Sequence, residues 1–520
     1  MSATHNTHVG TGNQTNNNTA GPSVINHGES QIIKGDVVNV GRIFVKNYTT
    51  TKAVKDPHSK HELRLVNVVE YGSLWNAVAG LGASHTAEQQ FERGDCLPGT
   101  REGAIGAIWD WLKIGKAGKP ICWLAGAAGV GKSAIAMTIA KQSELRNDLI
   151  SSFFFFRSDP RRNNPSALVL TISHGLVVKT PSRRDTINKV ISDDPTILEA
   201  QIEKQFGELV VQPILQTKSL WRRMVGPLAG GASLAARKDP RLVIVDGLDE
   251  CGDEATQIRI LDTISSAFCE HPHIPLRFLI CSRSESWIRE AFNAKPLREL
   301  SKVVLLDASF RPDEDIKRFY LHHFRKIVTS AKYGQVEFPT PWPSEEDLEA
   351  LIQRACGQFI YAVTVIKFVM LAYSHPMSQL CIILDNTLIQ RRRVSPYHEL
   401  DALYHVILSC NPDHEKVLPI LAAILILQPH LTPSPAYIEL IFGLPKGDVA
   451  LTLRAMYSVL DIRGPSDEIR VFHNSFREYL YDRDRSLDFF IDIPAQRYLV
   501  AQKWLQNVSD RRIQTYRYEL

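Results

Sequence analysis

The run Gly126-Ala127-Ala128-Gly129-Val130-Gly131-Lys132-Ser133 fits the pattern G-x-x-x-x-G-K-[ST]. Glycines at these spacings let the backbone wrap closely, so that its N–H groups face phosphate oxygens and the following helix adds positive potential. The flanks suit that chemistry. An apolar strand, 121–125, comes before, and a helical stretch opening at Ser133-Ala134 comes after. Lys132 is then expected to reach the β- and γ-phosphates, and the Ser133 hydroxyl to ligate Mg²⁺. The run, with Ala134 in the helix's first turn, reads as a phosphate cradle.

A second strand, Arg-Leu-Val-Ile-Val-Asp at 241–246, delivers Asp246 to the carboxyl edge of a sheet. Ligands of open α/β sheets gather at that edge. Asp246 is a candidate magnesium ligand, directly or through water. Asp249 and Glu250 follow within reach of an attacking water, and Glu250 is the favoured residue to orient it. A solvated acidic turn after a core strand is the plain alternative. The next apolar strand, 276–282, runs into Arg283. An arginine at such a tip can sense a γ-phosphate and stabilise transition-state charge, or it can form a surface salt bridge.

These residues need a scaffold, and the apolar pattern supplies one. Runs at 121–125, 150–156, 241–246, 276–282 and 303–307 are separated by helical stretches such as 133–145 and 255–268. Continuous apolar strands imply burial on both faces, hence a parallel sheet covered by helices on both sides. After about residue 310 the chain reads as helices with Pro-marked turns. Helices at 414–427, 434–442 and 447–459, then strands at 459–463 and 469–473, outline a winged helix. Its third helix carries only Arg454 as a basic residue, which favours a regulatory role over DNA binding.

Composition bounds the rest. A chain of 520 residues predicts about three domains. The net charge of +4, without a long Lys/Arg block, argues against a protein whose main work is gripping nucleic acid. Eight cysteines with no C-x-x-C argue for free thiols and a cytoplasmic location. The apolar segments 359–373 and 417–427 are too short to span a bilayer. The expected organisation has a largely disordered Asn/Thr-rich leader at 1–48, strand-like over 30–48, and a helical linker at 49–95. The P-loop domain follows at 96–309, a helical domain at 310–412, a winged-helix-like domain at 413–490 and a helical tail at 491–520. The segment 30–48 reads as a short strand or sticky linker, or alternatively as a cross-β oligomerisation motif.

Taken together, GAAGVGKS, RLVIVDGLDEC and FLICSRSE resemble the NACHT family of signal-transducing P-loop NTPases. The stretches 96–112, 151–163, 354–368 and 471–480 look like fungal, mushroom-type NOD-like receptor proteins. The resemblance covers roughly residues 70 to 490. It implies that Thr100 and Arg101 contact the adenine and that His473 touches the β-phosphate of bound ADP. By its residue type alone, a histidine beside Phe472 is more often a satisfied core residue. Plant-type relatives carry Gly-x-Pro where this chain has Gly357-Gln358-Phe359.

The expected function is an ATP/ADP-controlled switch, with Mg²⁺ as cofactor, slow hydrolysis as reset and self-association on activation. Its sensor or effector partner is not specified by the sequence. A turnover P-loop ATPase or kinase, in which Arg157, Arg161 and Arg162 are recruited, is one alternative. A scaffold with structural nucleotide is another.

Overall fold

The computed structural model describes residues 72–87, 94–114, 118–157, 159–216, 241–371, 374–385, 397–411, 413–428 and 431–518, together with short strands between 33 and 67. The chain divides into two units, Met1–Gly72 and Ser73–Leu520. In the first unit, β1 (Ile33–Lys34), β4 (Thr49–Val54) and β5 (Arg64–Asn67) form an antiparallel sheet in the order β1-β4-β5. Strands β2 (Val37–Val40) and β3 (Ile43–Lys46) pair with each other. Residues 1–32, the Asn/Thr-rich part of the leader, lie outside the described residues. The linker expected to be helical at 49–95 instead contains β4 and β5 before a seven-residue helix, Gly72–Val78. Thr and Val dominate those runs, and β-branched side chains favour the extended backbone over the helix.

The second unit is built on a five-stranded parallel sheet. Its strands are β6 (Ile121–Ala125), β7 (Leu149–Phe154), β8 (Leu242–Asp246), β9 (Arg277–Ser282) and β10 (Ser301–Leu305), in the order β10-β6-β9-β8-β7. The first four are buried along their whole length, as their uninterrupted apolar sequences require. The last strand begins two residues before the apolar run at 303–307. It is a sheet edge, and Val303 and Leu305 remain half-exposed. Register aligns Ala125 with Ser282 and Leu305, and Asp246 with Cys281 and Phe154. The phosphate loop, Asp246 and Arg283 therefore leave the sheet at one edge.

Two apolar clusters cover the sheet. One joins the helices Pro165–Lys179, Ile202–Phe206 and Glu254–Glu270 to one face. The other joins Glu102–Lys113 and Lys132–Leu145 to the opposite face. Side-chain caps start two of these helices: Asn164 accepts from Ser166 N–H, and Asp253 from Thr256 N–H.

From Pro312 onward the described residues are helical apart from one small hairpin, β11 (Leu460–Asp461) with β12 (Arg470–Val471). Helices His414–Leu427, Pro435–Phe442 and Asp448–Thr452 precede it, and Asn474–Tyr481 follows. The helix expected at 447–459 is shorter. It tightens into a 3₁₀ turn at Leu453–Met456, which leads into the hairpin. A single apolar core runs from Ile316 to Val500, so the segments 310–412 and 413–490 are not separately packed. Tyr404 joins them, 5.0 Å from the Phe476 ring and 2.8 Å from the Ser475 hydroxyl. The helix Ile493–Tyr518 packs on this core through Val500, while Asn507 Nδ2 donates to Ile441 O at 2.7 Å.

Candidate functional site

The turn after β6 takes its shape from two glycines. Gly129 has φ +75° and Gly131 φ +95°, conformations costly for any residue with a Cβ. Gly131 ends the turn as the residue before the helix Lys132–Leu145. The side chain of Lys132 folds back on the loop, donating to Gly126 O at 2.9 Å and Ala127 O at 2.7 Å. Burial pulls its ammonium below the ordinary lysine range, while Asp249 and Asp246 oppose that shift and Arg283 adds to it. Lys132 is thus a half-buried cation at the mouth of the phosphate loop.

A cavity of about 770 Å³ opens from this loop. Ala128, Gly129, Gly131, Lys132, Ser133 and Ala134 line it, with Asp246, Asp249, Glu250, Arg283, Thr100, Arg101 and His473. Residues from three distant parts of the chain thus share one space. Gly126, Ala127 and Val130 are not among its lining residues. The first two accept from Lys132, and Val130 O accepts from Arg101 Nη2 at 2.6 Å.

The acidic residues after β8 divide in role. Asp246 is almost wholly buried at the strand end. Asp249 is committed to Arg283: its Oδ1 accepts from the Arg283 backbone N–H at 2.9 Å, and its Oδ2 lies 3.3 Å from the Arg283 Nε. Glu250 Oε2 accepts from the Arg157 backbone N–H at 3.3 Å. The Arg283 guanidinium reaches a second carboxylate, Glu478 Oε1, at 2.7 Å. Burial works against its charge, yet Glu478, Asp249 and Glu250 together raise its pKa above the ordinary arginine value.

Thr100 and Arg101 end the segment leading into the helix Glu102–Lys113. Arg101 has φ 58°, and its backbone N–H donates to Asp315 Oδ2 at 2.9 Å. Its guanidinium lies 4.6 Å from the centre of the Phe359 ring. Burial lowers its pKa, with Asp315 opposing. The buried Nε has no hydrogen-bond partner among the described residues. The Thr100 hydroxyl donates to Leu97 O at 2.7 Å, so its proton is spent within its own turn.

His473 caps the helix Asn474–Tyr481. The Ser475 backbone N–H donates to its Nδ1 at 3.1 Å, and the Ser475 hydroxyl lies 2.6 Å from the same nitrogen. An Nδ1 that accepts has no proton, so the neutral ring carries its proton on Nε2. Next to it, Lys367 Nζ sits 2.9 Å from the centre of the Phe472 ring.

Several lining residues carry no local sequence signal. Phe319, Phe359, Ile360, Val363 and Lys367 wall the cavity from the helical part. The Ile360 N–H donates to Gly129 O at 3.0 Å. A Cβ on Gly129 would meet Ile360 Cγ2 at 2.2 Å. Glu478 likewise reaches Arg283 from the helix after the hairpin. The stretches 354–368 and 471–480 carry the family resemblance, but no spacing within them specifies these contacts.

The site fits a nucleotide with its metal. It offers two left-handed glycines before a helix start, a half-buried lysine, and an unpartnered guanidinium N–H. The Ser133 hydroxyl and the Asp246 carboxylate are the hard oxygen donors that Mg²⁺ takes. The α/β P-loop NTPase fold is read from this loop and the parallel sheet that carries it.

Residues 106–283 match the family described as Nephrocystin 3, N-terminal. That span runs from before the phosphate loop to Arg283. No curated protein matches the chain. Among solved structures, the chain is similar to a Walker-type ATPase of Pyrococcus abyssi, at 13% identity and a TM-score of 0.31, over 73% of this chain and 94% of that one. It is also similar to the Aeropyrum pernix ORC2 protein in its ADPNP–ADP complexes, at 11% identity and a TM-score of 0.33, over 80% of this chain and 96% of that one. Drosophila ORC bound to DNA matches at 13% identity and a TM-score of 0.26, over 70% of this chain and 80% of that one.

Proposed function

We propose that this chain is an ATP/ADP-controlled signalling switch of the NACHT type, resembling fungal NOD-like receptors. One observation carries the reading. A single cavity is walled jointly by the phosphate loop, by the helical segment around Phe359–Lys367 and by the segment 461–474 around the hairpin. A ligand in that cavity holds three segments together, so its identity can set whether they stay together.

The residues divide the work. The loop N–H groups and Lys132 bind phosphates, and Arg101 lies over Phe359 beside them. His473, from the proposed winged-helix part, donates its Nε2 proton to a phosphate oxygen of the diphosphate form. Magnesium, held by Ser133 and Asp246, would supply charge neutralisation at the phosphates. Glu250 orients a water for slow hydrolysis, which resets the switch, while Asp249 positions Arg283. Opening exposes surfaces for self-association. All eight cysteines are free, which supports a reducing, cytoplasmic setting for such a switch.

The test is the identity and amount of nucleotide released when the purified protein is denatured. Near-stoichiometric ADP is expected from the wild type and none from Lys132→Ala. His473→Ala is expected to lose ADP faster and to shift the assembly state. If both properties are unchanged in His473→Ala, the clamp is wrong.

A further inference from the structure

Arg283 is held by two carboxylates that belong to different parts of the molecule. Asp249, after β8, takes its backbone N–H and approaches Nε. Glu478, on the helix after the hairpin, takes Nη2 at 2.7 Å. The first contact lies within the nucleotide-binding part, and the second crosses to the helical part. Glu478 is itself oriented, since Asn474 Nδ2 donates to the same Oε1 at 3.0 Å. Both side chains of the crossing pair are largely shielded from water, at 20% and 29% exposure. A pair so shielded attracts more strongly than an exposed one.

Arg283 also lines the phosphate cavity and stands close enough to Lys132 to oppose its charge. An anion placed against Lys132 therefore acts on Arg283 as well. The terminal phosphate of a triphosphate and the Glu478 carboxylate are thus rival acceptors for one guanidinium. We propose that Glu478 is the residue that sets the preference between nucleoside diphosphate and triphosphate. It does so by holding Arg283 across the domain junction until a third phosphate takes the arginine away. This rests on the switch reading above and adds to it a discriminating residue outside the phosphate loop.

The pair has the properties that role needs. When the ion pair breaks, Arg283 keeps Asp249, so the arginine is not stranded in a buried place without a partner. The released Glu478 is still partly solvated and keeps Asn474. The exchange of partners is then a balanced step that a phosphate's charge can tip. Glu478 acts only through Arg283, so it is a positioning residue and touches no phosphate.

The experiment is a pair of binding titrations on the full chain. Affinity for ADP and for a non-hydrolysable ATP analogue is measured by displacement of a fluorescent nucleotide, with assembly state followed by light scattering. Glu478→Gln keeps the shape and removes the charge. It is expected to raise the triphosphate-to-diphosphate affinity ratio about 10-fold, equal to about 1.4 kcal/mol. The same variant is expected to assemble at lower triphosphate concentration. In an Arg283→Gln background the Glu478→Gln shift should vanish, because the two residues act as one unit. A purely structural Glu478 would weaken both nucleotides alike and leave their ratio fixed. Glu478→Asp, which keeps the charge, guards against a folding defect in the glutamine variant and should stay near the wild-type ratio. An unchanged ratio in Glu478→Gln, with a wild type that responds to nucleotide, overturns the proposal alone. A shift that persists without Arg283 also overturns it. A wild type whose assembly ignores nucleotide overturns the switch reading and this inference with it.

Discussion

Asp249 and Glu250 are neighbours in sequence, yet the fold gives them different work. Asp249 is nearly buried and spends both oxygens on Arg283, whereas Glu250 accepts from the Arg157 backbone at the cavity wall. Glu250→Gln is therefore expected to retain nucleotide while single-turnover hydrolysis falls about 10²- to 10⁴-fold, the usual weight of a positioned acid or base. Asp249→Asn should instead lower thermal stability and hydrolysis together, because a shielded arginine loses one partner. Quench-flow with radiolabelled ATP and a melting curve separate the two variants. Equal effects in both would refute the division. At this scale the sequence was most legible where chemistry is local. The glycine-spaced run places Lys132 and Ser133, and the ends of apolar strands place Asp246 and Arg283. The Arg101 partners Asp315 and Phe359, and the Arg283 partner Glu478, come from remote helices. No local pattern could reveal them.

Elements were legible when their periodicity was strong, and less so where tertiary contact sets their ends. The buried strands β6, β8 and β9 fall within a residue of their apolar runs, since burial on both faces demands continuous apolar sequence. The exposed edge β10 shifts by two residues, and the segment 49–95 turns out to carry strands. The close approach of the helix Pro165–Lys179 to β7 was also invisible. A Cβ on Gly175 would lie 2.5 Å from Ile150 O. Gly175→Ala should thus cost about 1–3 kcal/mol of stability, the range for overpacking, measurable by urea unfolding. A second prediction concerns pH. Ala83 O accepts from Phe154 N–H, and the His85 ring bridges Ser152 Oγ at 2.8 Å and Glu144 Oε2 at 2.7 Å. Burial lowers the His85 pKa despite Glu144. On the helix Pro312–Val328, burial, with His322 and Lys326 adding, pushes His323 down to about 4. Unfolded histidines titrate near 6.5, so between that value and about 4 the unfolded chain binds more protons. Stability is then complete above pH ~6.5 and falls as pH drops, by at most about 1.4 kcal/mol per pH unit for each histidine. Solvent screening at the part-exposed His323 reduces its share. His323→Gln should flatten the slope of unfolding free energy against pH. An unaltered slope would show that His323 does not contribute.

At the scale of the whole second unit, what matters is where the apolar cores stop. The sheet has two clusters of its own, and the helical part from Ile316 to Val500 has another, with no merging between them. The two parts meet instead across the cavity, through Ile360 on Gly129, Arg101 on Phe359 and Asp315, and Glu478 on Arg283. A junction of a few specific contacts can separate without exposing a core, which suits a device that opens. Gly129 leaves no room for a side chain at its contact, and Gly129→Ala tests whether the junction holds the ligand. The added methyl would stand 2.2 Å from Ile360 Cγ2 and 3.0 Å from Ile360 Cβ, so the helix Phe359–Val369 must withdraw. Nucleotide affinity is expected to fall at least ~10-fold, since a loss of about 1.4 kcal/mol suffices for that. Small-angle scattering should show a larger radius of gyration. Part of the cost is the positive φ itself, about 1–2 kcal/mol for a residue with a Cβ, and that part acts on the loop alone. Ile360→Ala in the same chain removes the nearer clash but not the backbone strain. If junction closure governs retention, the double variant recovers much of the affinity and the compact scattering profile. If it recovers neither, the loop's own conformation decides binding and the helical part merely covers it.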